Sequence, residues 1–309
     1  MQQDAGLDSQ HSEVWLNRPE RGSSIAMRLI TWMTLRFGRP VTRLLLHPLC
    51  WYFILFSPYA RRASRRYLDR ALGRRARITD VFKHYHAFAS CLQDRIYLLA
   101  GRHDYFDVRI VGLETFDAVM RQQRGCMLLG AHHGSFEVLR ALGMFDRKLQ
   151  ISVFSNEHQS QKVTSVLHRL QPGLATRVIV AGRPESLLRA RECVERGEIV
   201  GILGDRAMRG EKAVACEFLG KLALFPEGPL VLAAIVQVPV LLAFGLYRGG
   251  RKYEIHFELL AEKVALDRRE RSDQICGWVQ AYATRLEHYC RTAPYNWFNF
   301  YDFWGDESE

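Results

Sequence analysis

Residues 126–137 read Cys-Met-Leu-Leu-Gly-Ala-His-His-Gly-Ser-Phe-Glu, and this stretch decides the fold. The short apolar run at 126–130 ends in glycine, which predicts a buried β-strand. Two histidines follow directly, and Ser135 is a residue type that caps the start of a helix. Residues 136–145 then carry apolar side chains at helical spacing. The stretch therefore predicts a strand, a polar loop and a helix in succession.

The same alternation of strand and helix continues along the chain. Further strands are predicted at 150–154, 177–181, 199–203, 239–246 and 252–260. Further helices are predicted at 158–170, 184–196, 229–238 and 268–290. Because strands joined through helices form parallel crossover units, we predict an α/β fold with a mostly parallel central sheet flanked by helices. Arg248-Gly-Gly-Arg251 indicates a hairpin, which makes the sheet mixed.

The basic charge of the chain is concentrated near its N-terminus. The 309 residues include 43 Lys+Arg and 33 Asp+Glu, a formal net charge of +10. Residues 1–80 contain 14 arginines against 6 acidic residues, so most of the excess lies there. Such asymmetry favours an anionic partner, namely lipid head groups, nucleic acid or an acidic protein. Plain solubility is the alternative.

Seven cysteines are scattered without a Cys-x-x-Cys pair. This pattern favours a reducing compartment and argues against a disulfide framework or a zinc site. The first 24 residues are polar and contain no apolar signal-peptide core. We therefore expect neither a bound metal nor export through a cleaved signal.

Residues 25–60 are rich in large apolar side chains. Arginines at 28, 36, 39 and 43 recur at spacings that indicate an amphipathic helix with a polar arginine face. The uncharged core at 44–59 has 16 residues, whereas a spanning helix needs about 20. We therefore predict a monotopic or shallowly inserted anchor at 23–77, followed by a basic cluster suited to anionic lipid. The alternative is a pair of helices buried against the main domain.

Polar residues follow two of the predicted strands. Parallel sheets place ligands beyond the carboxyl ends of their strands. His132 and Glu137 follow the first strand, and Asp205 and Arg206 follow the strand at 199–203. A carboxylate beside an imidazole stabilises the cation that forms when the histidine accepts a proton, as general-base catalysis requires. The alternatives are a polar loop histidine and an ordinary helix-dipole acid, and His133 competes for the role of base.

The stretch 218–229, Phe-Leu-Gly-Lys-Leu-Ala-Leu-Phe-Pro-Glu-Gly-Pro, predicts a turn that leads into a helix. Backbone N–H groups at such a helix start bind anionic or oxyanionic groups, and Lys221 adds a charge. An ordinary loop with proline at the first helical position is the alternative. The aromatic stretch 294–304 either packs back on the domain or lines an acyl channel.

Five ordered motifs, taken together, resemble a known family. They are His132-x4-Glu137, the stretches 15–23, 218–229 and 238–242, and the aromatic stretch 294–304. The chain is similar to the late (HtrB-like) lipid A biosynthesis acyltransferases of the lysophospholipid acyltransferase superfamily, in the branch found with aryl polyene-type lipid pathways. The resemblance extends from Trp15 to Trp304. Glycerolipid members continue their Phe-Pro-Glu-Gly motif with Thr or Ser and Arg, whereas Pro229 and Leu230 stand here, so a glycerol-phosphate acceptor is not expected.

The resemblance implies transfer of an acyl group from an acyl carrier protein or coenzyme A thioester to a hydroxyl of a lipid or glycolipid. It implies His132 as general base supported by Glu137, with no metal or redox cofactor. The predicted substrate-binding residues are Arg169, Asp205, Arg206, Gly220, Lys221, Phe225, Pro226, Glu227 and Gly228. The expected location is the cytoplasmic face of the bacterial inner membrane, against an anionic surface and without nucleic acid.

The predicted organisation has four parts. They are a polar segment at 1–22, basic and apolar membrane-associating helices at 23–80, an acyltransferase domain at 81–304 and an acidic tail at 305–309. Two other functions are alternatives. A Ser–His hydrolase would need the missing Gly-x-Ser-x-Gly elbow. A non-enzymatic membrane- or nucleic-acid-binding protein would use the arginine-rich N-terminus.

Overall fold

The computed structural model describes residues 24–135, 138, 149–155, 178–182, 184–207 and 210–305. The described helices are α1 (Ser24–Phe56), α2 (Pro58–Leu72), α3 (Ile78–Leu99), α4 (Leu113–Met120), α5 (Pro184–Glu195), α6 (Gly228–Val236) and α7 (Arg271–Thr292). The strands are β1 (Asp107–Val111), β2 (Cys126–Gly130), β3 (Ile151–Ser155), β4 (Val178–Val180), β5 (Ile199–Leu203), β6 (Ala213–Phe218), β7 (Lys221–Pro226), β8 (Val240–Tyr247) and β9 (Lys252–Ala261).

The central sheet has seven strands in the order β1-β9-β8-β2-β5-β3-β4. All neighbours are parallel except β8 and β9, which form the antiparallel hairpin predicted around Arg248-Gly-Gly-Arg251. The predicted mixed, mostly parallel sheet flanked by helices is therefore confirmed. β2 lies in the middle of the sheet, between β8 and β5.

Both faces of the sheet are covered, which is why β2 has an unbroken apolar sequence. All five β2 residues are buried. Met127 and Leu129 face one hydrophobic cluster, and Cys126 and Leu128 face the other. Side chains alternate between the two faces of a strand, so only a strand packed on both sides is apolar at every position.

The predicted strands and helices that fall within the described residues are present, with ends shifted by a few residues. The predicted helices at 136–145, apart from Val138, and at 158–170 lie outside the described residues. The prediction for 218–229 was wrong in part, because Lys221–Pro226 forms β7 and pairs with β6 in a separate two-stranded sheet. Leu219 and Gly220 form the turn, both with positive φ, as two-residue hairpin loops require.

Two arginines of the polar face predicted for the first helix contact the protein, whereas Arg36 is exposed. Arg39 is 8% exposed and its guanidinium donates to both oxygens of Asp94 on α3, at 2.7 and 3.0 Å. Arg43 contacts the same carboxylate at 3.5 Å and donates to the Tyr247 hydroxyl at 2.7 Å. These two cations turn inward because a buried carboxylate compensates their charge.

The exposed residues described for α1 are mostly apolar, and Arg36 and His47 are exposed beside them. The exposed large apolar side chains are Val41, Leu44, Leu45, Leu49, Trp51, Tyr52, Leu55 and Phe56. Gly38, at φ 77°, kinks α1, and prolines lie at 40 and 48. In the described part of the chain, no helix combines the length and the apolar character that crossing a membrane requires.

The predicted division of the chain at residue 80 stays a prediction. Tyr67 and Leu68 on α2 belong to the same buried cluster as Leu129 on β2 and Trp297 near the C-terminus. The packing of the helices before residue 80 is therefore continuous with the packing of the sheet.

Candidate active site

The candidate site lies where two central strands end. β2 and β5 are parallel neighbours, and Gly130 is the register partner of Leu203. His132 and Asp205 each follow two residues after those partners, so the register brings them to the same level. The carboxyl edge of a parallel sheet is the usual position of a ligand site.

His132 and Asp205 form a hydrogen-bonded pair. The Nδ1 atom of His132 lies 2.8 Å from Oδ1 of Asp205, and the backbone N–H of His132 donates to Oδ2 at 3.1 Å. The Asp205 side chain is fully buried, whereas 27% of the His132 side chain is exposed. A carboxylate accepts but does not donate, so Nδ1 carries the hydrogen and Nε2 keeps its lone pair.

Charge and burial set the protonation of the pair. Burial alone would raise the pKa of Asp205, but the charges of His132 and Arg206 and the hydrogen bonds from His132 and Trp297 hold this pKa well below its usual range. Burial and the Arg206 charge lower the pKa of His132 and outweigh the opposite effect of Asp205. At neutral pH the pair is therefore a carboxylate with a neutral imidazole, which is the form that accepts a proton.

The backbone after His132 is held close to strand β8. Gly134 has φ 69°, and a Cβ at this position would overlap the carbonyl oxygen of Gly245. The Gly134 N–H donates to the Asn296 carbonyl and the Ser135 N–H to the Gly245 carbonyl, each at 2.7 Å. These two N–H groups are therefore already paired and do not point at a site for an oxyanion. The Ser135 hydroxyl accepts from the Val138 N–H at 3.4 Å, as a helix cap does.

The aromatic stretch 294–304 packs onto the site. Trp297 is 1% exposed and forms an antiparallel bridge with His133. The Phe298 N–H donates to the His132 carbonyl at 2.8 Å. The indole Nε1 of Trp297 donates to Oδ2 of Asp205 at 2.9 Å. Packing of this stretch against the domain was one of its two predicted roles, whereas the contact with Asp205 was not predicted.

Arg206 is the cation that affects the pair most directly. Its charge contributes to the pKa shifts of both His132 and Asp205. The guanidinium donates to the Phe298 carbonyl at 2.8 Å and lies 5.5 Å from the centre of the Tyr301 ring. The aromatic stretch thereby holds Arg206 as well as Asp205.

His133, the competing base, is 1% exposed and packs edge to face against the rings of Phe244 and Tyr289. Burial lowers the pKa of His133 to about 3. A base must be reached by its substrate, so the geometry favours the partly exposed His132 over His133.

The hairpin β6–β7 contributes packing to this region. The centroid of the Phe218 ring lies 5.2 Å from the centroid of the Trp297 ring and 5.2 Å from that of the Phe225 ring. The turn residue Gly220 and its neighbour Lys221 are exposed. The described hydrogen bonds and ion pairs of His132 and Asp205 include none from the hairpin.

The remaining predicted residues divide into two groups. Phe225 and Pro226 are buried at the end of β7, and Glu227 and Gly228 begin α6. Glu137 and Arg169 lie outside the described residues. Within the described ranges, no group of three or more His, Cys, Asp or Glu side chains is arranged to hold a metal ion.

Comparison with known proteins identifies one family. The sequence model of the family described as bacterial lipid A biosynthesis acyltransferase matches residues 16–305. A search among curated proteins found no match. The matched range includes every described helix and strand, together with His132, Asp205 and Trp297.

Proposed function

The chain belongs to the family of bacterial lipid A biosynthesis acyltransferases, and on this premise we propose which groups carry out the transfer. Membership makes the protein an acyltransferase with a lipid acceptor. We propose that the acyl group comes from an acyl carrier protein or coenzyme A thioester, that it passes to a hydroxyl of a lipid or glycolipid, and that His132 is the general base.

The observation that carries the proposal is the hydrogen bond between His132 Nδ1 and the buried Asp205 carboxylate, at 2.8 Å. It fixes the tautomer in which Nε2 accepts a proton. The depressed pKa of His132, due to burial and Arg206, keeps this nitrogen unprotonated at neutral pH. The partial exposure of the side chain leaves the base accessible to an acceptor hydroxyl.

The proposed reaction is a direct transfer. His132 Nε2 removes the hydroxyl proton while the acceptor oxygen attacks the thioester carbonyl carbon. The new C–O bond forms, the C–S bond breaks, and the imidazolium returns its proton to the departing thiolate. Asp205 stabilises the imidazolium between these two events. General-base assistance of this kind typically contributes about 10²- to 10⁴-fold in rate. As proposed, the thioester is the co-substrate and no cofactor takes part.

Asp205 takes the position beside Nδ1 that the family resemblance assigns to Glu137. In the described part of the chain, the carboxylate that meets Nδ1 belongs to Asp205. Support from Glu137 remains a prediction, as do the substrate-binding roles of Arg169, Arg206 and the residues at 220–228. Both thioester donors are anionic, which agrees with the basic character of the chain.

We further propose that the protein works at the cytoplasmic face of the bacterial inner membrane. Most of the exposed large side chains described for α1 are apolar, and two of its arginines, Arg39 and Arg43, turn inward to Asp94. The next helix, α2, begins two residues after Phe56, and its first exposed arginines are Arg62 and Arg65. An apolar face beside a basic cluster suits insertion into an anionic lipid surface. Nucleic acid is not proposed as a partner.

Lipid mass spectrometry tests the chemistry. A strain deleted for the gene is complemented with wild type, His132→Gln or the control His288→Gln, which changes an exposed histidine on α7. We expect wild type and the control to restore a lipid species heavier by one fatty acyl group, and His132→Gln to leave it absent. Full restoration by a folded His132→Gln protein contradicts the assignment of the base.

Vesicle flotation tests the membrane proposal. The triple variant Leu44→Ser, Leu55→Ser and Phe56→Ser is compared with Leu188→Ser, which removes an exposed leucine on α5. We expect the triple variant to lose binding to vesicles that contain anionic lipid, while the control still binds. Equal binding of the two variants overturns the role of α1.

A further inference from the structure

We propose that Trp297 is a positioning residue of the active site, which holds the Asp205 carboxylate in the orientation that His132 needs. The proposal rests on the function proposed above for His132. Within the described residues Asp205 receives three hydrogen bonds, two from His132 and one from the indole Nε1 of Trp297. The two bonds from His132 join the members of the catalytic pair to each other. Among the described donors, the indole of Trp297 is the one that holds the Asp205 carboxylate and does not belong to the pair.

The indole is itself immobilised by aromatic packing. The Trp297 ring meets four rings edge to face, at centroid distances of 4.8 to 6.2 Å: Tyr67, Phe218, Phe303 and Trp304. Such contacts add to the stabilisation that burial gives, and they define one ring orientation. A donor with a fixed position restricts its acceptor, so Asp205 is held by a rigid group.

The backbone of Trp297 is held by the helices α2 and α3. His84 Nε2 donates to the Trp297 carbonyl at 2.8 Å, and the Ser64 hydroxyl donates to His84 Nδ1 at 2.8 Å. Burial lowers the pKa of His84 to about 4, so this histidine is neutral at neutral pH and keeps the tautomer that both bonds require. Tyr67 also donates to the Pro294 carbonyl at 2.8 Å.

Trp297 therefore joins the N-terminal helices to the catalytic pair. The line of contacts runs from Ser64 through His84 to Trp297, and from its indole through Asp205 to His132. A hydrogen bond to a charged group has a larger effect than one between neutral groups, and a buried carboxylate that loses a donor shifts or changes its protonation. Loss of the indole N–H should thus change both the orientation of His132 and its pKa.

The test compares Trp297→Phe with the matched control Trp304→Phe in the purified full-length protein. Both substitutions remove an indole N–H from one aromatic cluster, but the Trp304 ring is only half-buried and its indole donates to the Phe218 carbonyl at 3.3 Å, not to Asp205. We expect Trp297→Phe to lower kcat about 10- to 100-fold with little change in KM, and Trp304→Phe to retain kcat within about threefold.

The pH profile separates positioning from simple structural damage. Without the indole donor, the Asp205 charge acts more strongly on the imidazolium, so the pKa of His132 rises. The acid limb of kcat then moves to higher pH in Trp297→Phe and stays in place in Trp304→Phe. Equal kcat losses in the two variants with an unmoved acid limb overturn the proposal, and so does wild-type kcat in a folded Trp297→Phe protein.

Two further measurements test the contact of Trp297 with Asp205 and the role of His132 separately. If Trp297→Phe does not fold, the indole ¹⁵N–¹H signals of the six tryptophans are compared between wild type and Asp205→Asn. One signal should move strongly, and no change in any of them overturns the proposal. His132→Gln is assayed beside these variants. Activity in His132→Gln refutes the general base itself, whereas an inactive His132→Gln with a fully active Trp297→Phe refutes only the role of Trp297.

Discussion

Asp94 and Asp205 are both fully buried carboxylates, and their partners differ. Asp94 accepts from Arg39 and Arg43 and from the Tyr253 hydroxyl at 2.8 Å. Asp205 accepts from His132 and the Trp297 indole. Arginine stays charged at any ordinary pH, whereas histidine exchanges its proton near neutrality. The same buried anion therefore fixes a helix in one place and supports proton transfer in the other.

Replacement of the catalytic carboxylate should have the largest effect. Asp205→Asn cannot stabilise the imidazolium and presents an amide N–H₂ to the N–H donors around it. We expect kcat to fall on the order of 10³- to 10⁴-fold, as when an amide replaces the carboxylate of a Ser–His–Asp triad. Acyl transfer by the purified protein measures this loss. If Glu137→Gln shows that loss and Asp205→Asn does not, Glu137 is the partner of the base.

Replacement of the structural carboxylate should instead act on stability. Asp94→Asn leaves Arg39, 8% exposed, without its counter-charge. We expect the free energy of unfolding to fall by about 3–5 kcal/mol, with unchanged kcat for the molecules that stay folded. Denaturant unfolding measures this change. Glu195→Gln is the control. The ion pair between Glu195 and Arg191 is exposed, so it contributes less than about 1 kcal/mol to the free energy of unfolding. Equal losses in both variants contradict the comparison.

The smallest expected effect is a shift in the pH at which His132 becomes protonated and activity falls. The pKa of His132 lies below its ordinary value through burial and the charge of Arg206. Activity requires neutral His132, so the midpoint of the acid limb of kcat/KM should lie below the ordinary histidine pKa of about 6.5. Arg206→Gln removes a repelling charge and raises the pKa of His132, so the acid limb moves to higher pH.

The control for this profile is Arg65→Gln, which removes the same charge from the exposed surface of α2. Its acid limb should coincide with that of wild type. A limb that moves to lower pH in Arg206→Gln, or by the same amount in both variants, contradicts the electrostatic role of Arg206.

The central sheet could be predicted because its signals are local. The unbroken apolar run at 126–130 and the Gly-Gly turn at 249–250 each identify an element without distant information. The β6–β7 hairpin was missed because residues 222–225 are apolar at every position and carry no alternation of apolar and polar residues. The period of two appears only in the structure, where Leu222 and Leu224 are exposed while Ala223 and Phe225 are buried. The Gly and Pro residues around this stretch favoured a loop.

Two other features could not be predicted, because their partners lie far away in the sequence. Asp205 meets a histidine 73 positions earlier, and Arg39 meets a carboxylate 55 positions later. An amphipathic pattern identifies the two faces of a helix but not which of them faces the protein. Apolar side chains of α1 lie on both faces: Leu46, Cys50 and Ile54 are buried, whereas Leu44, Leu55 and Phe56 are exposed. Arg39 turns inward because its partner is Asp94 on α3.

The antiparallel bridge between His133 and Trp297 also has a consequence for the timing of synthesis. Domains form as the chain emerges, from the N-terminal side onward. A nascent chain that has reached α7 already contains His132 and Asp205, yet it lacks the segment that receives the Gly134 N–H and contacts both members of the pair. The contacts of this segment with Gly134, His132 and Asp205 therefore form only after residues near 297 have been synthesised.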